Sequence, residues 1–133
     1  MNTVRPVVIL SAESTKISDD ANNQRTTILE SLLSDLNLAF NRALGVYNGT
    51  EEASFVVLVN SEEEIEALKG FAFKNFDQES ILLQDANQEA SLLFANGTSE
   101  RLGRLTQVSE EIAKTHNNFT LMNGQYYVTQ KRF

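Results

Sequence analysis

At 133 residues the chain has the length of one domain with its own hydrophobic core, and 11 basic against 18 acidic side chains give a net charge of −7. That charge repels a phosphate backbone, so nucleic-acid binding is not expected. The absence of cysteine excludes disulfide frameworks, thiolate metal sites and cysteine nucleophiles.

The first apolar stretch, Met1 to Leu10, is interrupted by Pro6 and has neither the basic flank nor the cleavage pattern of a secretory signal. No run of about 18 apolar residues is present to span a bilayer, so the sequence reads as cytoplasmic, with no membrane partner. Within that stretch Val7-Val8-Ile9-Leu10 predicts a strand covered on both faces. Ser18-Asp19-Asp20 then supplies capping side chains, and Ile28, Leu29, Leu32, Leu33 and Leu36 recur on one face of a helix from Asp20 to Leu36. Leu38 to Tyr47 alternates as a second strand, and Asn48-Gly49 offers the left-handed residues of a hairpin turn. Phe55-Val56-Val57-Leu58-Val59 is the strongest strand signal, and Ser61 with Glu64 makes a capping box for a second helix. Ile65, Leu68, Phe71, Ala72 and Phe76 form its buried face before Ser80-Ile81-Leu82-Leu83 opens a fourth strand.

The order β-α-β-β-α-β predicts an α+β fold of the ferredoxin-like sandwich type, an open four-stranded antiparallel sheet with both helices on one face. A single domain spans residues 1–133, its core at about 4–95 and a C-terminal extension at about 98–133. Beyond the core, Ala90 to Ala95 reads as a strand, Asn96-Gly97 as a turn, and Phe119 to Met122 with Gln125 to Thr129 as a hairpin around Asn123-Gly124. Ser109 to Thr115 reads equally as a short helix or a loop.

Chemistry-bearing motifs are few. His116 is the only histidine, without the paired spacing a metal site needs, and reads as a surface residue; no metal is expected. Asn48-Gly49-Thr50, Asn96-Gly97-Thr98 and Asn118-Phe119-Thr120 match the glycosylation sequon but read as turns. There is no glycine-rich phosphate loop after a strand and no Gly-x-Ser-x-Gly. What remains is a set of polar residues at strand ends and helix starts: Ser11, Asn22, Arg25, Tyr47, Glu52 and Gln78. Arg25 is the oddest, since a cation near a helix N-terminus opposes the macrodipole.

In order, these residues resemble the phage-encoded S-adenosylmethionine lyases, also called SAM hydrolases. The resemblance is carried by Val8-Ile9-Leu10-Ser11-Ala12, Asn22-x-x-Arg25, Gly45-Val46-Tyr47, Thr50-Glu51-Glu52, Phe76-Asp77-Gln78-Glu79-Ser80-Ile81-Leu82 and Ala90-x-Leu92-x-Phe94-Ala95-x-Gly97. It implies intramolecular cleavage of S-adenosylmethionine to 5′-methylthioadenosine and L-homoserine lactone, with S-adenosylmethionine as substrate and no cofactor. It also implies depletion of a host's methyl donor in the host cytoplasm, countering restriction and modification, and a PII-like homotrimer with sites between subunits. On this resemblance Glu52 holds the cationic part of the substrate and Tyr47 contacts its methionyl portion. Glu51 is Glu52's rival, because adjacent strand residues face opposite ways. Ser11, Asn22 and Arg25 offer polar contacts, Gln78 a hydrogen bond and Phe76 a surface for adenine. Two other readings compete: a non-catalytic, trimeric sensor of adenine nucleotides, since fold does not give chemistry, and a small acidic inhibitor of a host defence protein.

Overall fold

Alternate side chains of the first strand, β1 (Val7–Ser11), serve two different cores. Val8 and Leu10 join the cluster packed by the helices, whereas Ile9 belongs to a second cluster on the opposite face of the sheet. A strand apolar at every position is the expected consequence of burial on both faces. The computed structural model describes residues 5–47 and 49–129, and both clusters lie within them. Helix α1 (Asp19–Asp35) follows, capped by Ser18, whose hydroxyl accepts from the Ala21 amide. The hairpin β2 (Phe40–Tyr47) and β3 (Thr50–Leu58) comes next, then α2 (Glu62–Gly70), capped by Ser61. Glu64 reaches back to accept from the Asn60 amide at 2.7 Å, so the acidic triplet serves the helix start. Helix α2 runs into a π-helical turn, Phe71–Asn75, before β4 (Ser80–Gln84) and β5 (Glu89–Phe94).

The remaining third of the chain overturns the expected architecture. It forms β6 (Ser99–Val108), the short α3 (Glu110–Ala113), β7 (Phe119–Met122) and β8 (Gln125–Thr129). The eight antiparallel strands close into a barrel in the order β1-β3-β2-β7-β8-β6-β5-β4. The structure is therefore not an open ferredoxin-like or PII-like sandwich. Both edges such a sheet would expose, β2 and β4, are paired, with β7 and β5 respectively, and closure removes the free edges of an open sheet.

Strand β6 is the element the sequence conceals. Its Leu102, Leu105 and Val108 recur every three residues, which suggests no strand. Pairing with β5 shifts between Ala90 and Ser91, so that Gly103 faces Ala90, Arg101 faces Ser91, and Leu102 is the extra residue of a bulge. Gly103 adopts φ +78° there, a left-handed value that favours glycine. The bulge lets Leu102, fully buried, and Leu105 both join the cluster of Ile9, Leu82, Ala90 and Leu92 inside the barrel. Leu102→Ala is expected to cost about 2–5 kcal/mol, as for other buried leucines, read as a lower urea midpoint at unchanged slope.

Smaller differences follow the same logic. Leu29 and Leu33 of α1 are fully buried, but Ile28 and Leu36, expected beside them, are 52% and 45% exposed. The helix presents a narrow apolar stripe. Of the proposed turns, Asn123 and Gly124 are left-handed at φ 53° and 75°, as a tight hairpin requires. Gly49 is left-handed as well, while Asn48 lies outside the described residues. Ser109–Thr115 begins as α3, with the Ser109 hydroxyl accepting from the Ile112 amide.

Candidate functional site

The period of β3 decides which acidic residue faces inward. Phe55 and Val57 pack with the helices and Val56 packs inside the barrel, so steps of two from Val56 place Ser54 and Glu52 on the inner face. Glu51 falls on the other face and is exposed. Register adds the neighbours: Ser11 pairs with Ser54, and Gly45 pairs with Glu52. Tyr47, two residues beyond Gly45, shares the inner face. A Cβ on Gly45 would stand 2.7 Å from Tyr47 Cε2 and 3.2 Å from Ser54 Oγ. The tyrosine ring thus lies back over the space that glycine leaves.

A cavity of about 580 Å³ opens at this end of the barrel. Ser11, Tyr47, Glu52 and Ser54 line it, and the loops after β1 and before β4 contribute Glu13, Lys16, Asp77 and Gln78. Its position follows from the π-helical turn. The Phe76 amide donates to Phe71 O at 3.1 Å and the Gln78 amide to Ala72 O at 2.8 Å. Between them Asp77 sits at φ +54°, a costly value for a residue with a side chain, and such π-turns and strained residues recur at functional sites. The turn delivers Phe76 and Gln78 to the cavity wall.

Polar braces fix this wall. Ser11 Oγ donates to Ala53 O at 2.7 Å and accepts from the Glu13 amide at 3.0 Å. The Ala53 amide, beside Glu52, donates to Glu13 Oε1. Gln78 Nε2 donates to Glu13 O at 2.7 Å, joining the two loops. Arg25 reaches from α1 to donate to Phe76 O, and its guanidinium lies 5.5 Å from the Phe76 ring centre. This gives the misplaced helix-start cation a structural use. Arg25 Nε is buried and, among the described residues, lacks a hydrogen-bond partner.

The cavity is acidic. Four carboxylates, those of Glu13, Glu52, Asp77 and Glu79, line it with two cations, Lys16 and Arg25. The ion pairs found among the described residues, Arg42–Glu30, Lys69–Glu66, Arg101–Glu89 and Lys114–Glu110, all lie outside it. Burial pushes the Glu52 carboxyl above its ordinary range and the Glu13 charge reinforces this; the neighbouring Ser11 hydroxyl opposes it only when it turns its one proton from Ala53 O to the carboxylate. Tyr47 is pushed up to about 12 by burial and by the Glu52 charge, against a hydrogen bond with Thr120. It is a neutral phenol at neutral pH. The arrangement suits a cationic ligand with an apolar body: it supplies a desolvated carboxylate, a phenol and an aromatic face.

Of the residues singled out from sequence, Ser11, Arg25, Tyr47, Glu52, Phe76 and Gln78 line the cavity, and Asn22 and Glu51 do not. Asn22 is buried at the start of α1, where Oδ1 accepts from the Ser14 amide at 2.8 Å and Nδ2 donates to Ser14 O at 2.9 Å. It shapes the loop carrying Glu13. Sequence reasoning missed Glu13, Ser54 and Asn118, which also line the cavity. Ser54 was within reach, two residues from Glu52 on a strand of period two; Glu13 and Asn118 lie in loops, which carry no such pattern.

Comparison with curated proteins finds no match. A family model described as the S-Adenosylmethionine lyase family matches residues 8–130, from β1 to the end of the barrel.

Proposed function

The chain belongs to the S-adenosylmethionine lyase family, and from that premise we propose that it cleaves S-adenosylmethionine to 5′-methylthioadenosine and L-homoserine lactone without metal or cofactor. The observation that carries this reading is the partly buried Glu52 carboxylate in a cavity with an excess of acidic groups. The substrate brings two positive groups, an ammonium and a sulfonium, and one carboxylate.

The substrate also carries its own nucleophile and leaving group. Its carboxylate oxygen attacks the γ-carbon, the γ-carbon–sulfur bond breaks, and the electron pair passes to sulfur, leaving a neutral thioether and a lactone. No water or proton takes part. The protein's task is to hold the methionyl chain folded, and orientation of that kind is worth roughly 7–11 kcal/mol in well-placed intramolecular reactions. The sulfonium loses its charge as the bond breaks, so a carboxylate placed against it would stabilise the ground state more than the transition state. The ammonium keeps its charge throughout. Glu52 is therefore assigned to the ammonium, and Tyr47, as a neutral phenol, to the methionyl chain. Desolvation by Ile9, Leu82 and Leu92 on the cavity wall favours the step in which the carboxylate and the sulfonium lose their opposite charges, the ammonium alone staying charged.

In a cell this activity would deplete the methyl donor that restriction and modification enzymes use. We take the active unit to be a homotrimer with sites between subunits; the exposed Ile28 on α1 and Leu36 just past its end provide apolar surface for such contacts. The test is turnover of S-adenosylmethionine in H₂¹⁸O with EDTA present, with light scattering on the same sample. Expected are methylthioadenosine and lactone, a rate unchanged by EDTA, and a mass of three 14.9 kDa chains. A label in the γ-hydroxyl of homoserine would show attack by water at that carbon and overturn the intramolecular route.

A further inference from the structure

Antiparallel pairing of β1 with β4 covers Val7↔Gln84, Val8↔Leu83 and Ile9↔Leu82, then stops. Both strands continue: Leu10 and Ser11 remain paired with β3, and Ser80 and Ile81 with β5. The two strands have parted. Past the gap they are joined again by Gln78 Nε2, which donates to Glu13 O at 2.7 Å. The result is a window in the barrel wall, bounded at one end by the Ile9–Leu82 pair and at the other by the Gln78 bridge.

The parity of the ladders shows which main-chain groups face this window. The Val59 amide donates to Pro6 O at 3.0 Å, so the Pro6 C=O and the N–H and C=O groups of Val8 and Leu10 turn toward β3. Val7, Ile9 and Ser11 then turn theirs toward β4. On the other wall the Ala95 amide donates to Glu79 O at 3.0 Å, so Glu79 and Ile81 face β5 while Ser80 and Leu82 face β1. Ile9↔Leu82 is accordingly a hydrogen-bonded rung, and the next would join Ser11 to Ser80. That rung is absent. Ser11 is only 4% exposed, and buried main-chain groups require partners. Leu10, Ser11, Ser80 and Ile81 all line the cavity.

We propose that the Ser11 N–H and the Ser80 C=O, freed by the parting of β1 and β4, read the adenine ring of the substrate. A ring nitrogen accepts from Ser11 on one wall, and the exocyclic amine donates to Ser80 on the other. The base takes the place of the missing rung, with Phe76 and the barrel-side leucines Leu82 and Leu92 available to its surfaces. Because the two readers are a donor and an acceptor of fixed direction, a 6-keto purine is rejected: its oxygen would face the Ser80 oxygen. This rests on the proposed use of an adenosyl substrate and adds the atoms that select its base.

The test compares 5′-methylthioadenosine with 5′-methylthioinosine by calorimetry on the parent protein and on Ser80→Ala, while ¹⁵N NMR follows the Ser11 amide and a parallel assay follows S-adenosylmethionine turnover. Expected are at least about a hundredfold weaker binding of the inosine compound, in line with sites built to hydrogen-bond a missing group, and a shifted Ser11 amide on adding the adenosine compound. Discrimination should survive Ser80→Ala, since the reader is the carbonyl. Equal affinities, an unmoved Ser11 amide, or discrimination lost with the Ser80 hydroxyl would each overturn the inference. Discrimination without turnover would leave it standing and remove the lyase reading; turnover with equal affinities would do the reverse.

Discussion

Glu52→Gln is expected to lower kcat/KM for S-adenosylmethionine cleavage by about 10–10², the loss of one charge-assisted contact made in ground state and transition state alike, while leaving the barrel folded. Glutamine keeps the shape and hydrogen-bonding reach of the side chain but loses the charge that holds the ammonium. Two pH signatures separate this from a merely structural effect. Burial first, and then the Glu13 charge, raise the carboxyl above its ordinary value. The acid limb of kcat/KM, which reports the free enzyme, should therefore lie above the ordinary glutamate range in the parent, and the variant's residual activity should not share it. Stability should move the opposite way. A carboxyl raised by the fold is protonated more readily in the folded than in the unfolded chain, so the parent loses stability as pH rises from the unfolded to the folded value. Glu52→Gln escapes that loss and should melt higher than the parent at neutral pH, the advantage vanishing below pH about 4, where the unfolded carboxyl is also protonated. A variant as active as the parent would remove Glu52 from the mechanism. A variant that melts lower at neutral pH would contradict the burial argument.

The local elements were legible because each rests on a short-range rule. Ser18 and Ser61 cap their helices as hydroxyls ahead of apolar periodicity do, and the run Phe55 to Val59 could hardly be other than a buried strand. Closure was not legible, because it depends on β6, whose bulge at Leu102 and Gly103 replaces the strand period of two with a spacing of three. Strands at Ala90 to Ala95 and in the hairpin from Phe119 to Thr129 were expected as well, but with the strand that joins β5 to β8 disguised they read as an appendage to an open four-stranded sheet. The site shows the same division. Glu52 and Tyr47 were found as residues, but choosing Glu52 over Glu51 needed the faces of β3, which only packing reveals. Asn22 was named on the resemblance as a polar contact; what its sequence position did not show is that the side chain makes two hydrogen bonds to the Ser14 backbone and so holds a loop. Glu13 was missed because its contribution, accepting from the Ala53 amide 40 residues away, leaves no local trace.

Gly45→Ala is expected to damage the site from a position that bears no functional group. The added methyl would lie 2.7 Å from Tyr47 Cε2, 3.1 Å from the Tyr47 hydroxyl oxygen and 3.2 Å from Ser54 Oγ. The first distance is closer than a carbon contact permits, so the ring has to move, and its way is constrained by the hydroxyl's hydrogen bond with Thr120 on β7. Overpacking of this kind costs about 1–3 kcal/mol, and here it also displaces the phenol that meets the methionyl chain. Activity should therefore fall by at least tenfold, in proportion to a shift of that size in a contact made by the reacting conformer. The double variant Gly45→Ala/Tyr47→Leu distinguishes the two losses. With the ring gone the methyl has room, so the double variant should recover most of the stability lost by Gly45→Ala while its activity remains low. If Gly45→Ala is as stable and active as the parent, the ring is not held over Gly45 in solution. If the double variant is less stable than both singles, the methyl meets something other than Tyr47, and the pairing of glycine with tyrosine two residues on has another cause.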